Sequence, residues 1–158
     1  MKVGFKKLHP NAKLPKFAHL GDSGMDLYAC VDENTEGAHQ DDKGKWYITI
    51  NMFGRRLIPT GLAVELPPNY EGQVRSKSGL ALKNGVVVLN SPGTIDNNYT
   101  GFLGVILLNT SCFAFHVYDG MKIAQMVIKP VEPVHIEEID ELDETERGDG
   151  GFGSTGDF

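Results

Sequence analysis

Apolar and β-branched residues along this chain come in short runs cut apart by Gly, Pro, Asn and Asp. The runs are Val3 to Leu8, Asp26 to Cys30, Trp46 to Ile50, Leu57 to Leu66, Gly72 to Arg75, Val86 to Leu89, Phe102 to Asn109, Phe113 to Val117 and Ile123 to Val131. Val, Ile, Thr and aromatic residues suit a pleated, half-buried surface, so each run predicts a strand and the whole predicts an all-β, jelly-roll-like domain. Only Ser78 to Lys83 looks like a helical turn, closed by Asn84-Gly85 as helices commonly end. Two runs, Phe102 to Leu108 and Ile123 to Ile128, are apolar at odd and even positions alike. Both faces of each are expected to be covered, by a sandwich interior or by another subunit. The polar stretch Asp32 to Lys45 reads as a long loop or hairpin excursion at the surface.

The chain has 158 residues, enough for one domain with a genuine core and too few to expect two. No apolar run approaches membrane-spanning length, and the N-terminus MKVGFKKLHP lacks the apolar stretch of a secretory signal. A soluble, cytoplasmic protein with no membrane partner is expected. Cys30 and Cys112 stand alone in apolar surroundings and read as small buried hydrophobes in a reducing compartment. The five scattered histidines take no ligand role. A formal charge of −6 excludes a general nucleic-acid binder, which needs a basic stripe. An anionic small molecule needs only a local pocket, which Arg75, Lys77, Lys83, Lys122 and Arg147 could supply.

Five segments carry candidate chemistry. Gly24-Met25-Asp26-Leu27-Tyr28-Ala29 sets a carboxylate among apolar neighbours, where a plain turn aspartate is the commoner case. In Arg75-Ser76-Lys77-Ser78-Gly79-Leu80-Ala81 a strand runs into a helical turn beside two cations. That suits an anion, or else Ser78 simply caps the helix. The turn-rich link Asn90 to Gly101 is either a connector or a set of tools: an amide to read a base edge, a carboxylate as general base and a phenol to lie under a sugar. Gly120-Met121-Lys122-Ile123-Ala124-Gln125 adds a cation and an amide. Arg147-Gly148-Asp149-Gly150-Gly151-Phe152-Gly153-Ser154-Thr155-Gly156 strings a guanidinium, a ring and two hydroxyls on a glycine backbone. Such a tail should be mobile alone and ordered by a ligand that offsets the entropy, with Arg147 for phosphate oxygens. It is divided off as an arm, residues 147–158, following a domain of residues 1–146.

In this order the five segments resemble the five motifs of the trimeric deoxyuridine triphosphatase (dUTPase) family, across nearly all of the chain from Gly24 to Gly156. Pro59-Thr60-Gly61-Leu62-Ala63 is similar to the family's strand after the first motif. The resemblance implies a homotrimer with active sites built from all three chains, splitting dUTP into dUMP and pyrophosphate with Mg²⁺. It implies that Asp96 is the general base for a water attacking the α-phosphorus. Tyr99 would pack under the deoxyribose, and Asn90 with backbone groups at Gly93 and Ile95 would read uracil. Ser78, Gly79 and Gln125 would bind phosphate oxygens, with Arg75 or Lys77 supplying charge. Arg147, Gly153, Ser154 and Thr155 would close over the γ-phosphate while Phe152 covers the base, and Asp26 would orient a cation or a metal-bound water.

Ser76-Lys77 stands where the family usually has Pro-Arg, Lys122 where it usually has Arg, and Phe102 where a polar residue is common. Lysine keeps the charge and loses the bidentate fork. The Asp32 to Lys45 excursion exceeds the usual link by about a dozen residues and is a candidate docking element for a protein partner. Two other functions compete: a dCTP deaminase or bifunctional relative, which needs an added glutamate beside the base pocket, and a regulatory protein of phage type that uses the nucleotide as a switch.

Overall fold

The computed structural model describes residues 1–151 and 154. Among these, the first four strands are β1 (Gly4–Lys7), β2 (Met25–Tyr28), β3 (Ala38–Gln40) and β4 (Trp46–Ile50). The long β5 (Arg55–Glu65) and β6 (Tyr70–Arg75) lead into helix α1 (Ser78–Asn84). Then come β7 (Val86–Val88), β8 (Gly93–Ile95), β9 (Phe102–Asn109), β10 (Phe115–Tyr118) and β11 (Lys122–Pro130). They form three sheets, β1-β5-β9-β7, β2-β11-β6-β8 and β10-β4-β3, and every strand pairing is antiparallel. The all-β architecture with one short helix is as the composition predicts. No helix among the described residues is long and apolar enough to cross a membrane.

One apolar cluster draws on all three sheets: Leu27 and Met126 from one, Ile58, Leu103 and Leu107 from another, Ile48 and Val117 from the third. Burying such side chains is the main driving force for the fold, worth roughly 1.5–3 kcal/mol each. Buried polar groups are satisfied locally. Asn109, fully buried, donates through Nδ2 to the carbonyls of Ile50, Asn51 and Phe113. Its Oδ1 accepts from Ser111 N and Oγ. One side chain thereby pins the end of β9 to the turns after β4 and before β10.

The structure narrows three expectations. In β9, Leu103, Val105 and Leu107 are buried, but Phe102 is 52% exposed and Gly104, Ile106 and Leu108 are half-buried, so the second face is open in the single chain. Strand β11 buries Ile123, Ala124, Met126 and Val127; a register shift between Lys122 and Ala124 turns consecutive residues inward. The polar stretch 32–45 contains a strand, β3, that pairs with β4. Beneath its turn lies Arg56, whose guanidinium carbon is 3.1 Å from where a Cβ on Gly37 would stand.

Candidate functional site

Strand register assembles the first part of the site. Gln125 on β11 lies opposite Asp26 on β2 and Arg75 on β6, and side chains at paired positions share one face of a sheet. With Lys77 and Lys122 they line a cleft of about 350 Å³ walled by Asp22, Ser23 and Gly24. Asp26, 5% exposed, is the hub: Lys77 Nζ bonds its Oδ1 and Lys122 Nζ its Oδ2, the latter at 2.7 Å. Burial pushes the Asp26 carboxyl up, and the hydrogen bonds and charges of Lys122 and Lys77 outweigh it, holding the group below its ordinary value. The same contact raises Lys122. Arg75 is aimed by Gln73, whose Oε1 accepts from Nε at 3.2 Å and Nη2 at 2.5 Å, while Glu71 accepts from Gln73 Nε2.

Gln125 donates from Nε2 to the Ser76 carbonyl at 3.0 Å. Gly24 passes close beneath it, and a Cβ there, 3.1 Å from Gln125 Cδ, would push the Gln125 amide out of its place. Lys77, and not Ser78, is the N-cap of α1, and among the described residues no side chain caps its N-terminus. Ser78 is exposed as the first helical residue, and open space surrounds Gly79. At the other end Gly85, φ 64°, stops the helix by donating its N–H to Ala81 and Leu80, as the Asn84-Gly85 pair predicts.

The second part is a cleft of about 260 Å³ that collects Asn90, Gly93, Thr94, Ile95, Asp96 and Tyr99 over an apolar floor including Val74, Val88 and Phe102. The Asp96–Tyr99 turn is closed by Tyr99 N–H to the Asp96 carbonyl, 3.1 Å. Tyr99 donates its phenol to the Phe102 carbonyl at 2.9 Å, and its ring lies against Gly101, where a Cβ would come 2.7 Å from Cζ. Asn90 stands over Gly93, where a Cβ would approach Nδ2 to 3.2 Å. Asp96 is exposed, with its carboxylate turned to no hydrogen-bond partner among the described residues.

The two clefts lie on opposite faces of one sheet. Val74 lines the second and Arg75 the first, and consecutive strand residues point in opposite directions. Structure thus brings Asp26, Arg75, Lys77 and Gln125 together, and separately Asn90, Gly93, Ile95, Asp96 and Tyr99, but does not join the two sets within one chain. Arg147 Nε donates to the Gly150 carbonyl at 2.8 Å, and Ser154 N–H donates to Gly151, both inside the arm. Phe152, Gly153 and Thr155 lie outside the described residues.

Sequence reasoning offered Lys122 only as one of five cations that could supply an anion pocket and gave it no role of its own, whereas it lines the cationic cleft and bonds Asp26. It also missed a contact among distant positions: His9 Nδ1 is 3.3 Å from Cys30 Sγ and its Nε2 is 2.9 Å from Asp32 Oδ2. Cys30 is buried, which raises its thiol, whereas Cys112 is exposed in a turn, contrary to expectation. Among the described residues no group of three or more His, Cys, Asp or Glu is arranged to hold a metal.

Along most of its length the chain is similar to proteins of one family. The dUTPase family model matches residues 43–156. A deoxyuridine 5'-triphosphate nucleotidohydrolase of Clostridium tetani is 52% identical over 151 residues, covering 96% of this chain and 94% of the relative. Its counterpart in Gloeothece citriformis is 51% identical, covering 99% and 97%. Among solved structures, a Staphylococcus bacteriophage 80alpha dUTPase with dUpNHpp superposes with a TM-score of 0.81 at 24% identity, covering 98% of both chains. A phage phi11 dUTPase described with a structural Mg(II) ion gives 0.75 at 21% identity, covering 91% and 100%. The chain belongs to the dUTPase family.

Proposed function

We propose that the protein hydrolyses dUTP to dUMP and pyrophosphate in sites shared between copies of itself, arranged as a homotrimer. The observation that carries this reading is the pair of complementary half-sites on opposite faces of one sheet, a base-and-sugar cleft around Asn90, Asp96 and Tyr99 and a cationic cleft around Arg75, Lys77 and Lys122. One nucleotide reaches both only if different chains supply them. The open apolar face bearing Leu57 and Phe102 and the exposed Val134 and Ile136 are surfaces for neighbouring copies to cover.

Asn90 presents an amide that both donates and accepts, as uracil's edge requires; a wrong base would leave buried polar groups unpaired. Tyr99, seated on Gly101, floors the sugar position and leaves no room for a 2′-hydroxyl. Asp96 accepts a proton from the water that attacks the α-phosphorus in line. The new P–O bond forms as the bond to the bridging oxygen breaks, and pyrophosphate leaves with that electron pair. Lys77, Lys122 and Arg75 balance the growing charge, Ser78, Gly79 and Gln125 contribute hydrogen bonds to the phosphate chain, and Arg147, Gly153, Ser154 and Thr155 close over its end with Phe152 over the base.

The donor set suits magnesium only as an ion carried by the phosphates. The buried carboxylate of the cationic cleft, Asp26, is already bridged by two ammonium groups, so it would orient a metal-bound water and would not ligate the ion itself. An Mg²⁺ carried by the triphosphate would neutralise charge and favour one conformation of the phosphates.

The deaminase alternative needs a glutamate beside the base, and among the described residues none lines that cleft. The 32–45 excursion is built into a sheet and packs over Arg56, so a structural role accounts for it without a protein partner. Pyrophosphate release from each deoxynucleoside triphosphate in turn tests the proposal. Release from dUTP alone, enhanced by magnesium, supports it; equal release from all four standard substrates, or ammonia from dCTP, overturns it.

A further inference from the structure

Between the two clefts lies one residue that neither lines. Ser76 accepts the Val88 N–H on its Oγ at 2.8 Å, and its carbonyl accepts from Gln125 Nε2 at 3.0 Å. Val88 is a wall of the base-and-sugar cleft, and Gln125 lines the cationic one. Strand β7 is the edge of its sheet. Leu89, the residue after that strand, donates its N–H inward to Ile106, so the Val88 N–H points outward, away from the ladder. Val88 is 3% exposed, leaving that N–H without water. The Ser76 hydroxyl is its partner, and it ties the edge of one sheet to the end of β6 in the other.

Ser76 also sits between Arg75 and Lys77, and Lys77 is the N-cap of α1. Fixing both the hydroxyl and the carbonyl of Ser76 fixes the backbone from which two cations of the phosphate cleft project. We propose that Ser76 is a positioning residue that holds the two half-sites of one chain in register across the sheet, so that occupancy of the cationic cleft is felt at Val88. This rests on the dUTPase reading for its substrate, but the linkage itself is a property of the free protein. Ser76 touches no nucleotide. It acts through the Val88 amide on one side and the Gln125 amide on the other.

The test combines kinetics with amide exchange. Relative to wild type, Ser76→Ala should lower kcat/KM for dUTP about tenfold, mostly in kcat, because misplaced cations stabilise the transition state less than the ground state. Ser76→Thr, which keeps the hydroxyl, should stay within about threefold of wild type. In the unmodified protein the Val88 amide should exchange slowly, and saturating inorganic pyrophosphate should slow it further. Wild-type protein that fails to turn over dUTP would sink the dUTPase reading while leaving the exchange arm to judge the linkage. Unchanged kcat/KM in Ser76→Ala, equal loss in Ser76→Thr, or a Val88 amide that exchanges quickly and ignores pyrophosphate would each overturn the proposal; if Ser76→Ala fails to fold, the exchange measurement decides.

Discussion

Replacing Gly101 by alanine should impair sugar selection while sparing the fold. Gly101 is not among the residues at positive φ, so its backbone accepts a side chain without strain. The added Cβ would stand 2.6 Å from Tyr99 Oη, 2.7 Å from Cζ and 2.9 Å from Cε2. Carbon atoms in contact sit about 3.5–4.0 Å apart, so the ring must move by about 1 Å. Moving it costs the phenol its bond to the Phe102 carbonyl, worth about 0.5–1.5 kcal/mol. Tyr99 and Phe102 are both exposed, and water replaces that bond. Thermal unfolding should therefore shift by only a few degrees, on the order of 2–4 °C per kcal/mol. A 1 Å misplacement at a reacting centre costs up to about 100-fold, and the displaced ring no longer closes the space where a 2′-hydroxyl would sit. Pyrophosphate release measured with dUTP and UTP should show kcat/KM for dUTP falling and the dUTP/UTP ratio falling at least about tenfold. A ratio within about twofold of wild type would refute the seat assigned to Tyr99 and Gly101.

Asp96→Asn keeps the shape of an exposed residue with no side-chain partner among the described residues, so unfolding should be unchanged while turnover falls about 10²–10⁴-fold; a loss below about tenfold would remove Asp96 as the base. Asn109→Leu takes a donor from the Ile50, Asn51 and Phe113 carbonyls, of which Asn51 keeps the Gly54 N–H and Phe113 keeps the Ser111 hydroxyl. The enclosed Ile50 carbonyl bears most of the loss, for a cost of about 1–3 kcal/mol and a melting temperature lowered by roughly 2–12 °C; an unchanged melting curve would contradict this. Asp26 has its folded pKa lowered from 3.8, so its contribution to stability is complete above that value and fades as pH falls through the folded one. The urea-midpoint gap between wild type and Asp26→Asn should be larger at neutral pH than in strong acid, and a gap that grows with acidity would contradict the assignment.

Strands were legible where composition and turn residues agreed: Trp46–Ile50 and Phe102–Asn109 have the predicted bounds. Strands β3 and β8 were not, because Ala38-His39-Gln40 and Gly93-Thr94-Ile95 have no strand-forming run and owe their form to pairing with β4 and β6. An all-apolar run such as Phe102 to Leu108 hides its alternation, so its open face was invisible until the partner strands were in place. Motif spacing singled out Asp26, Arg75, Gln125, Asp96 and Tyr99 as candidates, and each lines one of the two clefts. What it could not supply was register: that Asp26, Gln125 and Arg75 form one row, that two lysines meet one carboxylate, or that Val74 and Arg75 send the clefts to opposite faces. The His9–Cys30–Asp32 contact spans positions with no common motif, and no pattern in the chain announces it.

Complementation between two inactive variants tests the shared site most directly. Asp96→Asn leaves the cationic cleft whole, and a protein carrying both Lys77→Ala and Lys122→Ala leaves the base-and-sugar cleft whole. Each alone should turn over dUTP at a small fraction of the wild-type rate. Unfolded together and refolded as a mixture, they should regain activity, since random assembly leaves roughly a quarter of the sites with both halves intact. A mixture no more active than its parts, with mixed oligomers confirmed by mass, would show that each site lies within one chain.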